Sequence, residues 1–131
     1  MSWRYEQATG KMTDPSGELV GIGYSGGDCG TAPEGKNNPA MQNVPMVGPI
    51  PQGIYTIGPA YTHSRLGPVT MNLYPSQQNQ MFDRDAFRIH GDNPNHIGES
   101  SDGCIVLARD VREMISESRD LTLEVVSGLI S

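Results

Sequence analysis

Apolar and polar residues alternate over short stretches of this chain, which is the period of a half-buried β-strand. Trp3 and Tyr5 show this alternation at the beginning of the chain, with polar residues between and beside them. Glycine, proline and asparagine separate the later stretches, as expected for strands joined by turns. Beyond the first strand, the pattern predicts strands at 19–24, 54–57, 69–73, 87–90, 105–107 and 121–125.

Residues 14–17, with the sequence Asp-Pro-Ser-Gly, form the clearest turn signal in the chain. Aspartate suits the first position of a type I turn, proline fixes φ at the second, and glycine suits the fourth. We expect this turn to join the first strand to the strand at 19–24 as a hairpin.

One loop-rich segment predicts a short helix. Asn38 followed by Pro39 is typical of an N-cap and the first helical position, so a helix is expected over 39–43.

A second helix is expected after the apolar run at 105–107. Asp110 and Glu113 have the spacing of a capping box, with aspartate in place of the usual serine or threonine. The apolar face of this helix comprises Val111, Met114 and Ile115.

The length of 131 residues suits a single domain spanning 1–131. The 16 glycines and 10 prolines favour strands and turns over long helices. We therefore predict a mainly β protein, either a small β-sandwich or a half-open barrel, with one or two short helices.

Charge and hydropathy limit the partners that this protein can have. The net charge is −6 and lysine and arginine do not cluster, so nucleic acid is not an expected partner. No segment approaches the roughly 20 apolar residues needed to span a bilayer, and the first residues lack the apolar core of a signal peptide. We expect a protein made in the cytoplasm without a signal peptide. Its acidity either serves solubility or docks one face onto a partner protein.

His90 and Cys104 are the residues best suited to catalysis. His90 closes one predicted strand and Cys104 opens the next, so two neighbouring strands can bring an imidazole to a thiol. A cysteine needs such a partner in order to react near neutral pH. Gly103 permits a tight turn whose N–H groups can hold an oxyanion, and the Ser101 hydroxyl or carbonyl can orient a neighbour.

The loop between these two residues offers further candidates. Gly91, Asp92 and Asn93 either bind substrate and orient His90 or serve as ordinary turn residues. Zinc is another alternative for this region, although the spacing of the donors differs from that of a helical zinc motif. Its ligands would be His90, Asp92, His96 and Cys104. We favour a site without a metal or another cofactor.

Cys29 lies in a glycine-rich stretch and is expected to be a bystander. The alternative is a disulfide with Cys104, which would block the nucleophile in an oxidised form of the protein.

Two segments, Ile-His-Gly at 89–91 and Ser-Asp-Gly-Cys-Ile at 101–105, resemble the active-site signature of the L,D-transpeptidases of the bacterial cell wall. That signature is a His-Gly pair, a spacer and then Ser/Thr-His-Gly-Cys. Residues 48–57 are similar to the Pro-x-Gly-x-aromatic segment that leads into a strand of the same family. The closer resemblance is to a subfamily, the type VI secretion L,D-transpeptidase effectors. It is carried by the blocks at 24–26, 35–42, 48–51, 89–92 and 102–105.

The resemblance implies a cysteine enzyme that acts on peptidoglycan stem peptides. It implies that Cys104 attacks the carbonyl between diaminopimelate and the fourth-position D-alanine, with His90 transferring protons. Hydrolysis of the resulting thioester is L,D-carboxypeptidase activity, and its reaction with a free D-amino acid is exchange. Two residues depart from the broader family. Asp102 replaces the second histidine, and Val106 stands where many transpeptidases have an arginine suited to a substrate carboxylate.

The same resemblance implies injection into a neighbouring bacterium, action in the periplasm of that target, and a cognate immunity protein in the producer. Two other functions stay open at this point. One is a zinc-dependent peptidoglycan peptidase, and the other is a non-enzymatic β module that binds cell wall or a partner protein.

Overall fold

Ten short β-strands and one α-helix form most of the regular structure of residues 2–129, the part of the chain that the computed structural model describes. The strands are β1 (Trp3–Glu6), β2 (Lys11–Thr13), β3 (Leu19–Ile22), β4 (Tyr24–Ser25), β5 (Gly53–Ile57), β6 (Tyr61–His63), β7 (Gly67–Pro75), β8 (Arg88–His90), β9 (Ile105–Val106) and β10 (Thr122–Val126). Helix α1 spans Arg109–Ser116, and single 3₁₀ turns occupy Asp28–Gly30, Pro33–Gly35 and Pro39–Met41. Between residues 2 and 129, no helical segment has the length and apolar character needed to cross a bilayer.

The strands form one sheet that curls into a nearly closed, half-open barrel. Their order is β3-β2-β1-β10-β5-β7-β8-β9-β4, and β6 pairs with β7 outside this path. The two end strands, β3 and β4, are consecutive in the chain and are separated only by Gly23. The Gly23 N–H donates to Gly10 O at 2.8 Å, and a Cβ on Gly23 would lie 1.9 Å from Val106 O. Only glycine therefore fits where the chain passes from one end of the sheet to the other.

The core of the barrel follows from the period-two pattern of its strands. Strand β1 runs parallel to β10, with Trp3 opposite Leu123 and Tyr5 opposite Val125, and all four side chains are buried. Helix α1 packs on β7, and its residues Val111 and Ile115 belong to the same hydrophobic core. The prediction of a mainly β half-open barrel is confirmed, and each predicted strand overlaps an observed strand.

The prediction that the turn at 14–17 joins the first strand to the strand at 19–24 is wrong. The turn at 14–17 joins β2 to β3, because the chain reverses once more at Gly10, whose φ is +75°. The intervening strand β2 pairs with β1. Strand β6 is also missing from the prediction, because Tyr61–His63 shows no apolar alternation.

The predicted helix at 39–43 is a 3₁₀ turn that ends at Met41. Asn38 is its N-cap as expected, and its side-chain oxygen accepts the Ala40 N–H at 3.2 Å.

The capping box and part of the apolar face predicted for α1 are wrong. Ala108 is the N-cap, and Asp110 lies inside the first turn. Met114 is 45% exposed, whereas Arg112 is only 7% exposed and takes a place among the buried residues of the helix.

Candidate active site

Strands β8 and β9 bring His90 and Cys104 to one cavity. They run parallel, with Ile89 opposite Ile105 and His90 opposite Val106, and Cys104 directly precedes β9. Successive side chains of a strand point to opposite faces of the sheet. Cys104 and His90 therefore share a face, and Ile89 and Ile105 point into the core on the other. Both His90 and Cys104 line a cavity of about 930 Å³.

His90 is held in one tautomer by its neighbour. Its Nδ1 lies 2.8 Å from Gly91 O, and a carbonyl oxygen only accepts, so Nδ1 carries the proton and Nε2 is left as an acceptor. Burial lowers the pKa of His90, and the charges of Arg112 and Arg88 lower it further against the opposing effect of the Gly91 hydrogen bond. The imidazole is therefore neutral at neutral pH and can take up a proton at Nε2.

Cys104 is a protonated thiol at neutral pH. Burial raises the pKa of Cys104 to about 11, although a hydrogen bond from the Arg88 backbone N–H favours the thiolate. The Ala86 carbonyl oxygen lies 3.9 Å from Sγ and accepts from the thiol. The site thus contains a neutral thiol and a neutral imidazole, so the thiol must lose its proton to a base as it reacts.

The Ser101 hydroxyl fixes the turn that carries the cysteine. Its Oγ donates to Cys104 O at 2.5 Å and accepts from the Gly103 N–H at 3.1 Å and the Gly26 N–H at 2.9 Å. Ser101 is 1% exposed, so it orients the backbone of the turn and does not face the cavity.

Other side chains occupy the remaining polar groups of this turn. The Ser25 hydroxyl donates to Gly103 O at 2.8 Å, and Arg84 Nη2 donates to Asp102 O at 3.4 Å. The Gly103 N–H is used by Ser101, so it is not available to an oxyanion. Among residues 2–129, the Cys104 N–H has no acceptor. An N–H in this position can donate to the oxygen of a carbonyl group that the sulfur attacks.

Asp92 organises the loop between the two strands. It accepts hydrogen bonds from the Tyr24 hydroxyl, from the Gly98 N–H at 3.0 Å and from the Ser100 hydroxyl at 2.9 Å. Partial burial raises the pKa of Asp92, but these hydrogen bonds and the charge of Lys36 outweigh it and hold the pKa below its usual value. The hydrogen bonds that Asp92 makes lie within and beneath the loop, and none goes to His90.

The neighbours of Asp92 have different surroundings. Gly91 contributes the carbonyl that holds His90, and a Cβ on Gly91 would lie 2.6 Å from Arg112 Nη2. Asn93 is exposed at the rim of the cavity, where its side-chain oxygen accepts the Asn95 N–H at 2.9 Å.

Two buried arginines of the cavity wall were not among the candidates from sequence. Both Nη atoms of Arg84 donate to carbonyls, at distances of 2.6 to 3.4 Å. Arg112 donates to the carbonyls of Leu107, Pro68 and Val69. Neither arginine has a carboxylate within 4.0 Å among residues 2–129. The sequence did contain a sign of the role of Arg112, because this charged residue lies between apolar positions of a predicted helix.

The donors named for a zinc site do not converge. Within residues 2–129, no group of three or more histidine, cysteine, aspartate or glutamate side chains has a metal-binding arrangement. Cys29 lines the same cavity as Cys104, and both are free thiols. His96 lies on the same cavity wall, in the loop after Asn93.

The comparison with protein families decides the relationship of this chain to known proteins. The model of the Tlde1 domain matches residues 22–128, which include every residue described at the cavity. The chain belongs to the Tlde1 domain family. This is the family of type VI secretion L,D-transpeptidase effectors, so the resemblance seen in the sequence is confirmed. Neither the curated proteins nor the solved structures give a significant match.

Membership of the Tlde1 domain family makes this chain a type VI secretion L,D-transpeptidase-like effector. The family points to enzymatic action on peptidoglycan, and action on the cell wall fits a periplasmic site of action.

Proposed function

We propose that this effector is a cysteine acyl-transfer enzyme that cleaves the diaminopimelate–D-alanine bond of tetrapeptide stems. The observation that carries the proposal is that a thiol and an imidazole from neighbouring strands line one cavity, and that the Gly91 carbonyl leaves Nε2 of the imidazole unprotonated. The Cys104 N–H supplies a hydrogen-bond donor at the same place. These are the nucleophile, the base and the oxyanion donor that acyl transfer requires.

The first half-reaction forms a thioester. Cys104 Sγ attacks the diaminopimelate carbonyl while its proton moves to His90 Nε2, and the new C–S bond gives a tetrahedral oxyanion held by the Cys104 N–H. The C–N bond then breaks, and His90 returns the proton to the leaving amine. D-Alanine departs, and the acyl group remains on sulfur.

The second half-reaction decides which product appears. Water attacks the thioester with loss of a proton to His90, the C–S bond breaks, and the thiol is restored, which is L,D-carboxypeptidase activity. A free D-amino acid that attacks through its amine gives exchange of the terminal residue instead. Either reaction removes the tetrapeptide donors that a growing wall uses.

Membership of the Tlde1 domain family supports a biological setting for this activity. The effector would act in the periplasm of a target bacterium after injection, and the producer would be protected by an immunity protein that closes the cavity over Cys104.

The test is release of D-alanine from purified tetrapeptide muropeptides, with and without an added D-amino acid. Cys104→Ala should lower release by at least about 10³-fold without unfolding the protein, because the nucleophile is lost. Cys29→Ser is the matched control, since its side chain lines the same cavity but has no role in the proposed chemistry. Full activity of Cys104→Ala would contradict the proposal.

The pH dependence of kcat/KM independently tests whether Cys104 and His90 react as a neutral thiol and a neutral imidazole. Because the pKa of His90 is lowered, the imidazole stays an active base below its ordinary range. We expect kcat/KM to rise with pH through an apparent pKa below the unperturbed value of about 6.5 and then to stay level through neutral pH. An acid limb centred above about 7 would show that the base is a different group.

A further inference from the structure

Arg112 is a cation built into the wall of the cavity beside the catalytic histidine. It comes from the buried face of α1 and is only 7% exposed, yet it lines the cavity that also contains His90 and Cys104. Its Nη2 would lie 2.6 Å from a Cβ on Gly91, the residue that directly follows His90. The guanidinium therefore approaches the imidazole side of the cavity.

The guanidinium is anchored through two of its three nitrogens. Nε donates to Leu107 O at 3.0 Å, and Nη1 donates to Pro68 O at 2.7 Å and to Val69 O at 3.2 Å. Val69 has a φ of +55°, a conformation that β-branched residues rarely adopt. The strained backbone turns carbonyls toward Arg112, which fixes the plane of the fork in advance.

The third nitrogen is left for a ligand. Among residues 2–129, Nη2 of Arg112 has no acceptor, and no carboxylate lies within 4.0 Å of the guanidinium. Burial of a cation without a counter-charge costs free energy, and a bound anion offsets this cost. Arg84 differs, since each of its Nη atoms already has a carbonyl partner.

We propose that Arg112 binds the free carboxylate of the D-amino acid that leaves, and so restricts the enzyme to stems with a free C-terminal residue. This inference rests on the proposed function. His90 must deliver a proton to the leaving amine. In an α-amino acid a carboxylate oxygen lies within about 3.5 Å of that nitrogen. A cation beside His90 is therefore placed for this carboxylate, and the same contact receives the carboxylate of a D-amino acid acceptor during exchange.

The direct test uses the unaltered protein and two substrates. One is a tetrapeptide muropeptide with a free terminal carboxylate, and the other is the same muropeptide with a terminal carboxamide. We expect kcat/KM to be about 10- to 100-fold higher for the free acid, the range of a charged hydrogen-bonded contact. Equal kcat/KM values for the acid and the amide would overturn the inference and leave the proposed function intact. Release from neither substrate would instead contradict the proposed function.

Variants then assign the preference to a residue. Arg112→Gln should lose about 10- to 100-fold on the acid and change by less than about threefold on the amide, so the two substrates become equivalent. Activity on the amide also reports that the variant is folded and that its cysteine and histidine are intact. Arg112→Lys should keep part of the preference, because it retains charge but loses the fork.

Two control variants complete the design. Arg109→Gln removes an exposed arginine of the same helix that faces Glu113 at 3.9 Å, and it should leave both rates unchanged. Arg65→Gln removes an exposed arginine of the cavity wall. Loss of the acid preference in Arg65→Gln, with the preference kept in Arg112→Gln, would overturn the assignment. The assignment would also be overturned if the preference disappeared only when the distal carboxylate of diaminopimelate was amidated.

Discussion

Two consecutive segments connect β8 to β9, and they are held in place in different ways. The Asp92 loop, residues 92–100, lies near the surface and is stabilised by hydrogen bonds to the Asp92 carboxylate together with hydrogen bonds within the loop. The nucleophile turn, residues 101–104, is buried for the most part and is stabilised by side chains from distant parts of the chain, among them Ser25 and Arg84.

The difference separates the parts of the site that must be rigid from those that need not be. The position of Cys104 depends on hydrogen bonds that are shielded from water, so its backbone N–H and sulfur are presented in one arrangement. The Asp92 loop lies at the rim of the cavity, and its hydrogen bonds are made near solvent, so it can open without disturbing the turn.

The largest effect is expected for Gly103→Ala in the nucleophile turn. Gly103 has a φ of +141°, and its Cβ would lie 2.7 Å from Arg84 Nη2 and 2.8 Å from Phe87 Cε1. We expect loss of D-alanine release and a fall of about 2–4 kcal/mol in the free energy of unfolding, measured by denaturant titration. Gly17→Ala is the control, because it has a φ of +93° but open space around it, and it should cost about 1 kcal/mol with full activity.

Ser100 and Ser101 are adjacent, and they lie on either side of the boundary between the Asp92 loop and the nucleophile turn. Ser101→Ala leaves the Gly103 and Gly26 N–H groups and Cys104 O without their partner in a buried place. It should lower the free energy of unfolding by about 2 kcal/mol and reduce kcat.

Ser100→Ala is the matched change in the Asp92 loop. It removes the solvent-exposed hydrogen bonds of the Ser100 hydroxyl with Asp92, His96 O and the Asn93 N–H, and it should lower the free energy of unfolding by about 1 kcal/mol or less. Equal losses of stability and kcat in the two serine variants would contradict the proposed difference between the segments.

The effect expected for Asp92→Asn is local and confined to the Asp92 loop. The hydrogen bonds from Tyr24, Gly98 and Ser100 lose the charge of their acceptor, so amides in the loop should exchange with solvent faster. Exchange at residues 101–104 should not change. Hydrogen exchange read by mass spectrometry measures both segments in one experiment, and faster exchange in the nucleophile turn would show that the two are coupled.

Acid should reproduce this variant in the unaltered protein. The folded-state pKa of Asp92 is lowered, so its stabilising effect is complete above the unfolded value of about 3.9 and is lost as the pH falls through the lower folded value. The loop should therefore open only below about pH 4, and the Asp92→Asn variant should show no such transition.

Much of the fold was predictable because apolar alternation and turn residues act locally. Trp3 and Tyr5 defined β1, and the Asp-Pro-Ser-Gly turn was correctly located. The strand that precedes this turn was not predicted, because β2 is only three residues long and is stabilised by pairing with β1. The family and the pairing of His90 with Cys104 were likewise proposed from motifs, because a nucleophile and its base require particular residue types at strand ends.

The roles of the supporting residues were decided by tertiary structure. Ser101 was proposed as an orienting residue, but its hydrogen bond to Gly26 joins segments far apart in the chain. Asp92 was proposed near substrate or His90, and its hydrogen bonds instead go to its own loop and to Tyr24. Hydrogen bonds between distant segments leave no periodicity in a sequence, so pattern reasoning does not detect them.

The sequence by itself determined the class of fold, the family and the two residues of the proposed reaction, because hydrophobic period and motif order are properties of the linear chain. Only the tertiary structure decided that His90 presents Nε2, that the Cys104 N–H has no acceptor in the part of the chain that the structure describes, and that Arg112 lies at the cavity instead of in solvent. These properties depend on burial and on which distant carbonyls or hydroxyls meet a given polar atom, and folding alone establishes both.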